Sequence, residues 1–331
     1  VPDAMSGIEV GSMVRVPLGN RRIRGYVVSI RSGDCASLKP IISISGECPI
    51  FGDRLLQVLR WAALHYVAPL SVMLGRAAPP NLPRGKGHAV AGEIPDLESP
   101  LPGATGAAAT GGHDRPTYLL GGRGYAGSIA GLSAAVLGAG RNVAVVAPTM
   151  AEAAGLYAEL ASIFPGRVIS ISSSLPAKEG TRLWLTANRS GGILIVGTPE
   201  IAVWPLGAPA LWIVVEEGRR AMKAKQTPTL QVHEMVRRRA LVERTTMVYL
   251  GPVPTLDAMA RGIAFKMPRG RLWPLVELVD RNEDPATIRT LASRTVQAIR
   301  GSVKRGGQVF VFVSRLGYAP VFRFVRCRQL R

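Results

Sequence analysis

Apolar positions in this chain follow two rhythms. Over residues 13–30 they alternate with polar ones, as Val14, Val16, Ile23, Tyr26, Val28 and Ile30, the period of strands with one buried face. Two strands around a turn at Leu18-Gly19-Asn20 fit this alternation, with Gly25 as a bulge or a point of close approach. Leu55, Leu56, Leu59, Ala62, Ala63 and Tyr66 then recur at helical spacing, which predicts one amphipathic helix over 55–74. Beyond residue 115 the apolar residues gather into short solid runs at 118–120, 142–147, 168–172, 193–196, 212–215 and 248–250. Solid runs read as strands buried on both faces, and their alternation with helical stretches predicts a parallel α/β sheet. A further helix at 288–303 and a strand at 308–314 complete the pattern. Between the two regimes, residues 79–115 are rich in Pro, Gly and Ala and end in GATGAAATGG. That is linker composition, which predicts a trypsin-sensitive joint.

Charge changes the picture next. The 331 residues are 47% hydrophobic, ample for a core, yet carry a net charge of +19. Such an excess is either solvated surface or the footprint of a polyanion, most simply nucleic acid. Arg15, Arg21, Arg22 and Arg24 crowd the hairpin. Guanidinium groups on a curved β surface can pair with phosphates and stack on bases; a solvated face is the other reading. Arg237, Arg238 and Arg239, with Glu234 and Glu243, read as a solvated, Arg-laced helix over 233–244. No apolar run approaches the ~18–20 residues of a membrane-spanning helix. Cys35, Cys48 and Cys327 make no disulfide framework, and without a secretory signal a reduced, cytoplasmic protein is expected. His65, His88, His113 and His233 show no ligand spacing. Starting on Val1 and stopping on Arg331, the chain reads as a fragment or a naturally shortened protein.

Chemistry in a parallel α/β sheet is expected at the carboxyl ends of its strands. The run at 193–196 ends in Gly197-Thr198-Pro199, and the run at 212–215 ends in Glu216-Glu217. After 118–120 comes GGRGYAGSIAG and then a helical stretch. Strand, Gly-rich turn and helix is phosphate-loop architecture, and equally that of a plain tight turn. Phosphate-loop chemistry needs a Lys on the phosphates and a Ser or Thr on Mg²⁺. With Gly122 and Gly127 as the end glycines, Ser128 takes the place of the Lys and Ile129 that of the hydroxyl. Neither side chain can do the work.

The lettering resembles the primosomal protein N′ (PriA) family of replication-restart helicases. Gly197, Thr198, Ala202, Pro205, Leu206, Glu216 and Glu217 keep its first-lobe pattern. The stretch VRVPLGNRRIRGYVVSI is similar to its 3′-DNA-binding domain, and Trp61, Tyr66, Pro69, Leu70, Pro79 and Pro80 match the family from the closing helix to the start of the linker. QVFVFVSRLGYAP resembles the opening of the second lobe. The departures fall on catalytic letters: Pro199 for Arg, Val215 for the Walker B Asp, Gly218 for His, and Gly251-Pro252-Val253-Pro254 for the motif that couples ATP state to DNA.

The resemblance implies a β-rich, OB-like DNA-binding domain at 1–78, a linker at 79–115, a degenerate RecA-like helicase lobe of P-loop NTPase type at 116–280, and the start of a second lobe at 281–331. The family's winged-helix domain has no room in the linker. The resemblance also implies a DNA-binding protein of replication restart that recognises forks, 3′ ends and single-strand/double-strand junctions. Primosome and single-strand-binding proteins would be its partners, with no membrane role. Arg15, Gly19, Arg21, Arg22, Arg24 and Gly25 would meet DNA. Gly122, Gly127 and Ser128 are the doubtful nucleotide site; Glu216 and Glu217 are motif remnants rather than a catalytic pair. No cofactor is expected: ATP and Mg²⁺ are doubtful, and Cys327 alone matches the family's zinc positions. An active ATP-dependent 3′–5′ helicase and a functionless remnant are the alternatives.

Overall fold

A computed structural model describes residues 7–33, 38–121, 124–172, 174–224, 227–267, 275–280 and 291–312. The hairpin forms where the alternation placed it, as β1 (Met13–Leu18) and β2 (Arg21–Tyr26), and β3 (Ser43–Ser45) pairs with the other edge of β1. The single helix expected over 55–74 is two helices, α1 (Asp53–His65) and α2 (Leu70–Ala77). Pro69 is the reason: it has no N–H to give and disfavours helical backbone in the residue before it. The chain turns there, with Val67 at φ +49°.

The solid apolar runs become β4 (Thr117–Leu120), β5 (Asn142–Val146), β6 (Val168–Ile171), β7 (Leu194–Gly197), β8 (Pro209–Val215) and β9 (Thr246–Gly251). A short helix, α8 (Leu256–Ala260), leads on to β10 (Ala264–Lys266). The strands from β4 onward form one parallel seven-stranded sheet in the order β10-β4-β9-β8-β5-β7-β6. Successive residues face opposite sides of a strand, so two cores result. One face packs on α4 (Tyr125–Gly138) and α5 (Met150–Ile163), through Ile129, Leu132 and Leu160. The other packs on α6 (Ala177–Arg189) and α7 (Val232–Glu243). Ile50, Phe51, Leu59 and Met73 of the first 78 residues share this second core with Trp184 and Trp212. The hairpin domain is thus welded to the α/β lobe. Trp184 Nε1 donates to the Ala77 carbonyl at 2.9 Å, and Arg76 donates to the carbonyls of Thr227 and Pro228.

Residues 79–115, expected as an open linker, are a packed strap. The Asn81 and His88 amides donate to Thr181 and Thr186 of α6 at 3.0 and 2.7 Å. The strap then passes the loop before β6, where Arg167 Nε donates to the Gly92 carbonyl at 2.7 Å. It ends as α3 (Pro102–Ala109), whose Ala104 and Ala108 are buried against the α4 side of the sheet. The glycines mark close approach rather than freedom. A Cβ on Gly87 would lie 2.7–2.8 Å from Thr186, and Gly92 at φ +121° would put one into the Pro165 carbonyl. Gly87→Val is therefore expected to lift the strap, and trypsin should then cut at Arg84 and Lys86 several-fold faster than in the parent chain. Equal digestion rates, followed on gels, would count against the strap being pinned there.

The residues from 273 onward make a second compact unit. Its α9 (Ser293–Lys304) falls on the helix expected over 288–303; residues 281–290 are outside the described residues. Residues 308–312 were expected to form a strand and do not: no strand pairs with them among the described residues, and Phe310 and Phe312 are exposed. The Gly-Tyr-Ala-Pro motif and Cys327 lie outside the described residues, as do Cys35 and Gly122. Among the described residues no helix is long and apolar enough to cross a membrane.

Candidate functional site

The hairpin register is unbroken, so Gly25 forms no bulge. Arg15 stands opposite Arg24, Pro17 opposite Arg22 and Leu18 opposite Arg21. Opposed residues share a face of the sheet. Arg15, Arg22 and Arg24 therefore lie on one face and Arg21 on the other. All four are exposed, and none has an ion-pair partner among the described residues. Like charges set directly opposite destabilise a hairpin, so the Arg15–Arg24 pair carries an electrostatic cost that nothing among the described residues offsets. Gly19 turns the hairpin at φ +56° with open space around it, leaving its backbone approachable. A Cβ on Gly25 would make only ordinary contact with Val14 and Val16, at 3.7 and 3.8 Å.

The strand ends hold the other candidate residues. Gly127 is exposed and Ser128 half-buried in the first turn of α4, and Ile129 behind them is fully buried. The ring of Tyr125 packs beside Gly121, where an added Cβ would lie 3.2 Å from Leu250 and 3.5 Å from Tyr125. The Tyr125 hydroxyl donates to Glu216 Oε1 at 2.7 Å. Glu216 also pairs with Arg219 at 2.6 Å, and Arg219 bridges on to Glu152. Glu217 is buried and accepts from the Tyr118 hydroxyl at 3.0 Å and the Thr255 amide at 2.9 Å. Both carboxylates are thus engaged in holding the strand ends together. Burial and the adjacent carboxylates push the phenols of Tyr118 and Tyr125 well above their ordinary range, so both remain donors. The backbone at Glu216 is left-handed, φ +49°, a cost of order 1–3 kcal/mol borne by the surrounding bonds. Tyr118, Tyr125 and Arg219 were missed in the sequence; their partners Glu217, Glu216 and Glu152 lie far along the chain or on another element.

Beside these groups, the ends of β5 and β7 open on a cavity of about 630 Å³ lined by Thr149, Thr198, Glu200, Trp204, Lys223 and Arg76 from α2. Burial raises the Glu200 pKa, against the pull of Arg76. Folding also gathers His233, Glu234 and Asp257, with ligand atoms within 4.8 Å of one another. A cation already stands there: Arg261 donates to Glu234 at 2.6 Å and to Asp257 at 2.9 Å, and Arg237 adds a bond to Glu234. The expected solvated role of the α7 arginines fails at Arg239, which is fully buried.

A family model described as the PriA 3′DNA-binding domain (3′BD) matches residues 1–79. The chain is 27% identical to the probable replication restart protein PriA of Mycobacterium tuberculosis over 221 residues, 62% of this chain and 34% of that one. The Deinococcus radiodurans protein of the same name is 26% identical over 214 residues, 59% of this chain and 23% of that one. The chain thus spans about a third or less of the length of these relatives. Among solved structures, a hypothetical ATP-dependent RNA helicase from Sulfolobus tokodaii aligns with a TM-score of 0.35 and 11% identity, over 66% of this chain and 57% of that one. So distant a likeness carries no functional weight.

Proposed function

Because the chain is a member of the PriA replication-restart family, we propose that it recognises forked or 3′-ended DNA as a cytoplasmic scaffold for primosome assembly and does not unwind it. The observation that carries the reading is the uncompensated face of Arg15, Arg22 and Arg24, within the residues matched by the 3′DNA-binding model. Phosphates would neutralise that face, and the open backbone at Gly19 would let a strand end come close. Primosome and single-strand-binding proteins are the partners such a scaffold would serve.

Two facts favour binding without turnover. The residues at the Lys, hydroxyl and Walker B positions, Ser128, Ile129 and Val215, offer neither a cation for the γ-phosphate nor a ligand for Mg²⁺. Tyr125 packs beside Gly121 and donates to Glu216, engaging a carboxylate at the strand ends. Gly122, the first of the loop glycines, lies outside the described residues.

Fork binding measured across a salt series tests the reading. Arg22→Ala with Arg24→Ala should lower the salt slope by about 1.4–1.8, at about 0.7–0.9 for each phosphate no longer neutralised. An unchanged slope removes the hairpin from the interface. ATP turnover, followed in the same samples, should stay at background with and without fork, and Glu216→Gln should change nothing. Turnover that this substitution abolishes would make the chain a working ATPase and sink the scaffold.

A further inference from the structure

A second cationic surface lies on the same compact unit as the hairpin. Lys178, Arg182 and Arg189 are exposed on α6, while Leu183, Trp184, Leu185 and Ala187 face the core. Spacings of four and seven residues put the three on one stripe, about 16 Å long at 1.5 Å per residue. The strap lies against this helix, pinned through Thr181 and Thr186, and between the pins it exposes Arg84 and Lys86. Arg189 reaches across to it, donating to the Gly85 carbonyl at 2.9 Å. Arg84, Lys86, Lys178 and Arg182 have no ion-pair partner among the described residues.

The nearby acids offset this charge only in part. Glu179 bonds His88 at 2.8 Å and Glu47 accepts from the Gly85 amide at 3.0 Å, two carboxylates against the five cations Arg84, Lys86, Lys178, Arg182 and Arg189. Glu93, Asp96 and Glu98 come only after the strap has left α6 at Gly92, where it meets Arg167 in front of β6. Continuity with the hairpin is structural as well. β3 pairs with β1, placing Ser43 opposite Arg15. Just past the end of β3, Glu47 bonds the strap at Pro83 and Gly85. The hairpin cations and those of the strap and α6 are therefore held in one frame through β3 and the loop that follows it.

We propose that the α6 stripe with Arg84 and Lys86 is a second phosphate-binding surface, which takes the backbone of the DNA arm leading away from the end held at the hairpin. The proposal rests on the DNA-binding reading above. Charge complementarity and the shared frame with the hairpin select DNA over an acidic protein. A DNA backbone presents anions at regular short intervals, which a cationic row of this length matches.

The test uses the full chain and two labelled 3′-ended DNAs: one just long enough for the hairpin, and one with a duplex arm long enough to reach α6. Lys178→Gln with Arg182→Gln should weaken the long DNA about tenfold near physiological salt and reduce its salt slope by about 1.4–1.8. Binding of the short DNA and the unfolding midpoint should not move. Arg22→Ala with Arg24→Ala should weaken both DNAs. If only the hairpin variant has an effect, the α6 surface is overturned and the hairpin reading stands. If neither variant changes binding, both fall. Polyglutamate binding that the α6 variant loses, with DNA binding intact, would reassign the stripe to an acidic protein and overturn the proposal.

Discussion

Arg239→Ala is expected to destabilise the chain by about 3–5 kcal/mol, the range for removing one partner of a buried ion pair. Arg239 and Glu243 are 1% and 7% exposed as side chains. The guanidinium pairs with Glu243 at 2.9 Å, donates to the carbonyls of Ala202 and Trp204 at 3.2 and 2.7 Å, and lies 4.7 Å over the Trp212 ring. Alanine would leave a buried carboxylate without a counter-charge, two carbonyls without a donor, and a void against Trp212. The double variant Arg239→Met with Glu243→Leu separates these costs. It removes the orphaned charge and fills the void, so it should recover a large part of the loss, but not the part owed to the carbonyls. Denaturant unfolding of the three proteins measures this. A single variant within about 1 kcal/mol of the parent would mean that the helix repacks around the gap.

Trp184→Ala should cost a similar amount, about 3–5 kcal/mol for a fully buried indole, and the loss should appear in the hairpin domain and the α/β lobe together. Trp184 sits in the core shared by Leu59, Met73 and Trp212, and its N–H holds the end of α2. A single core predicts one cooperative transition for this unit. Hydrogen exchange resolved by segment provides the check: amides of β1, β2, α1, β7 and β8 should lose protection in parallel. Protection lost in the lobe alone, with the hairpin domain unmoved, would restore the picture of independent domains. The coupling would bear on the proposed DNA binding, because it holds the arginine hairpin and the α6 stripe in one frame.

Much of the fold was legible because it depends on residues close in sequence. Alternation around Leu18-Gly19-Asn20 located the hairpin, since side chains of a strand point to opposite faces in turn. Solid runs such as 193–196 and 212–215 located central strands, since a strand covered on both faces has no polar side. The departures of Ser128, Ile129 and Val215 from phosphate-loop and Walker B lettering were also legible, because residue identity at a place in a motif is local.

Other features arose only in three dimensions. Residues 79–115 have the composition of a flexible tether, yet their glycines serve contact with α6 and with Pro165, partners about 70–100 residues away. Arg237, Arg238 and Arg239 are alike in sequence, but the rotation of α7 against the sheet carries only Arg239 into the core. The link from Tyr125 to Glu216 spans 91 residues and closes only when β4 and β8 lie on either side of β9. The sequence determined which strands and helices could form and which side chains stand at the strand ends, because periodicity and identity are local. Tertiary structure decided which arginines meet solvent and which meet the core, and which side chains bond one another at the strand ends, because those outcomes depend on distant segments competing for the same space.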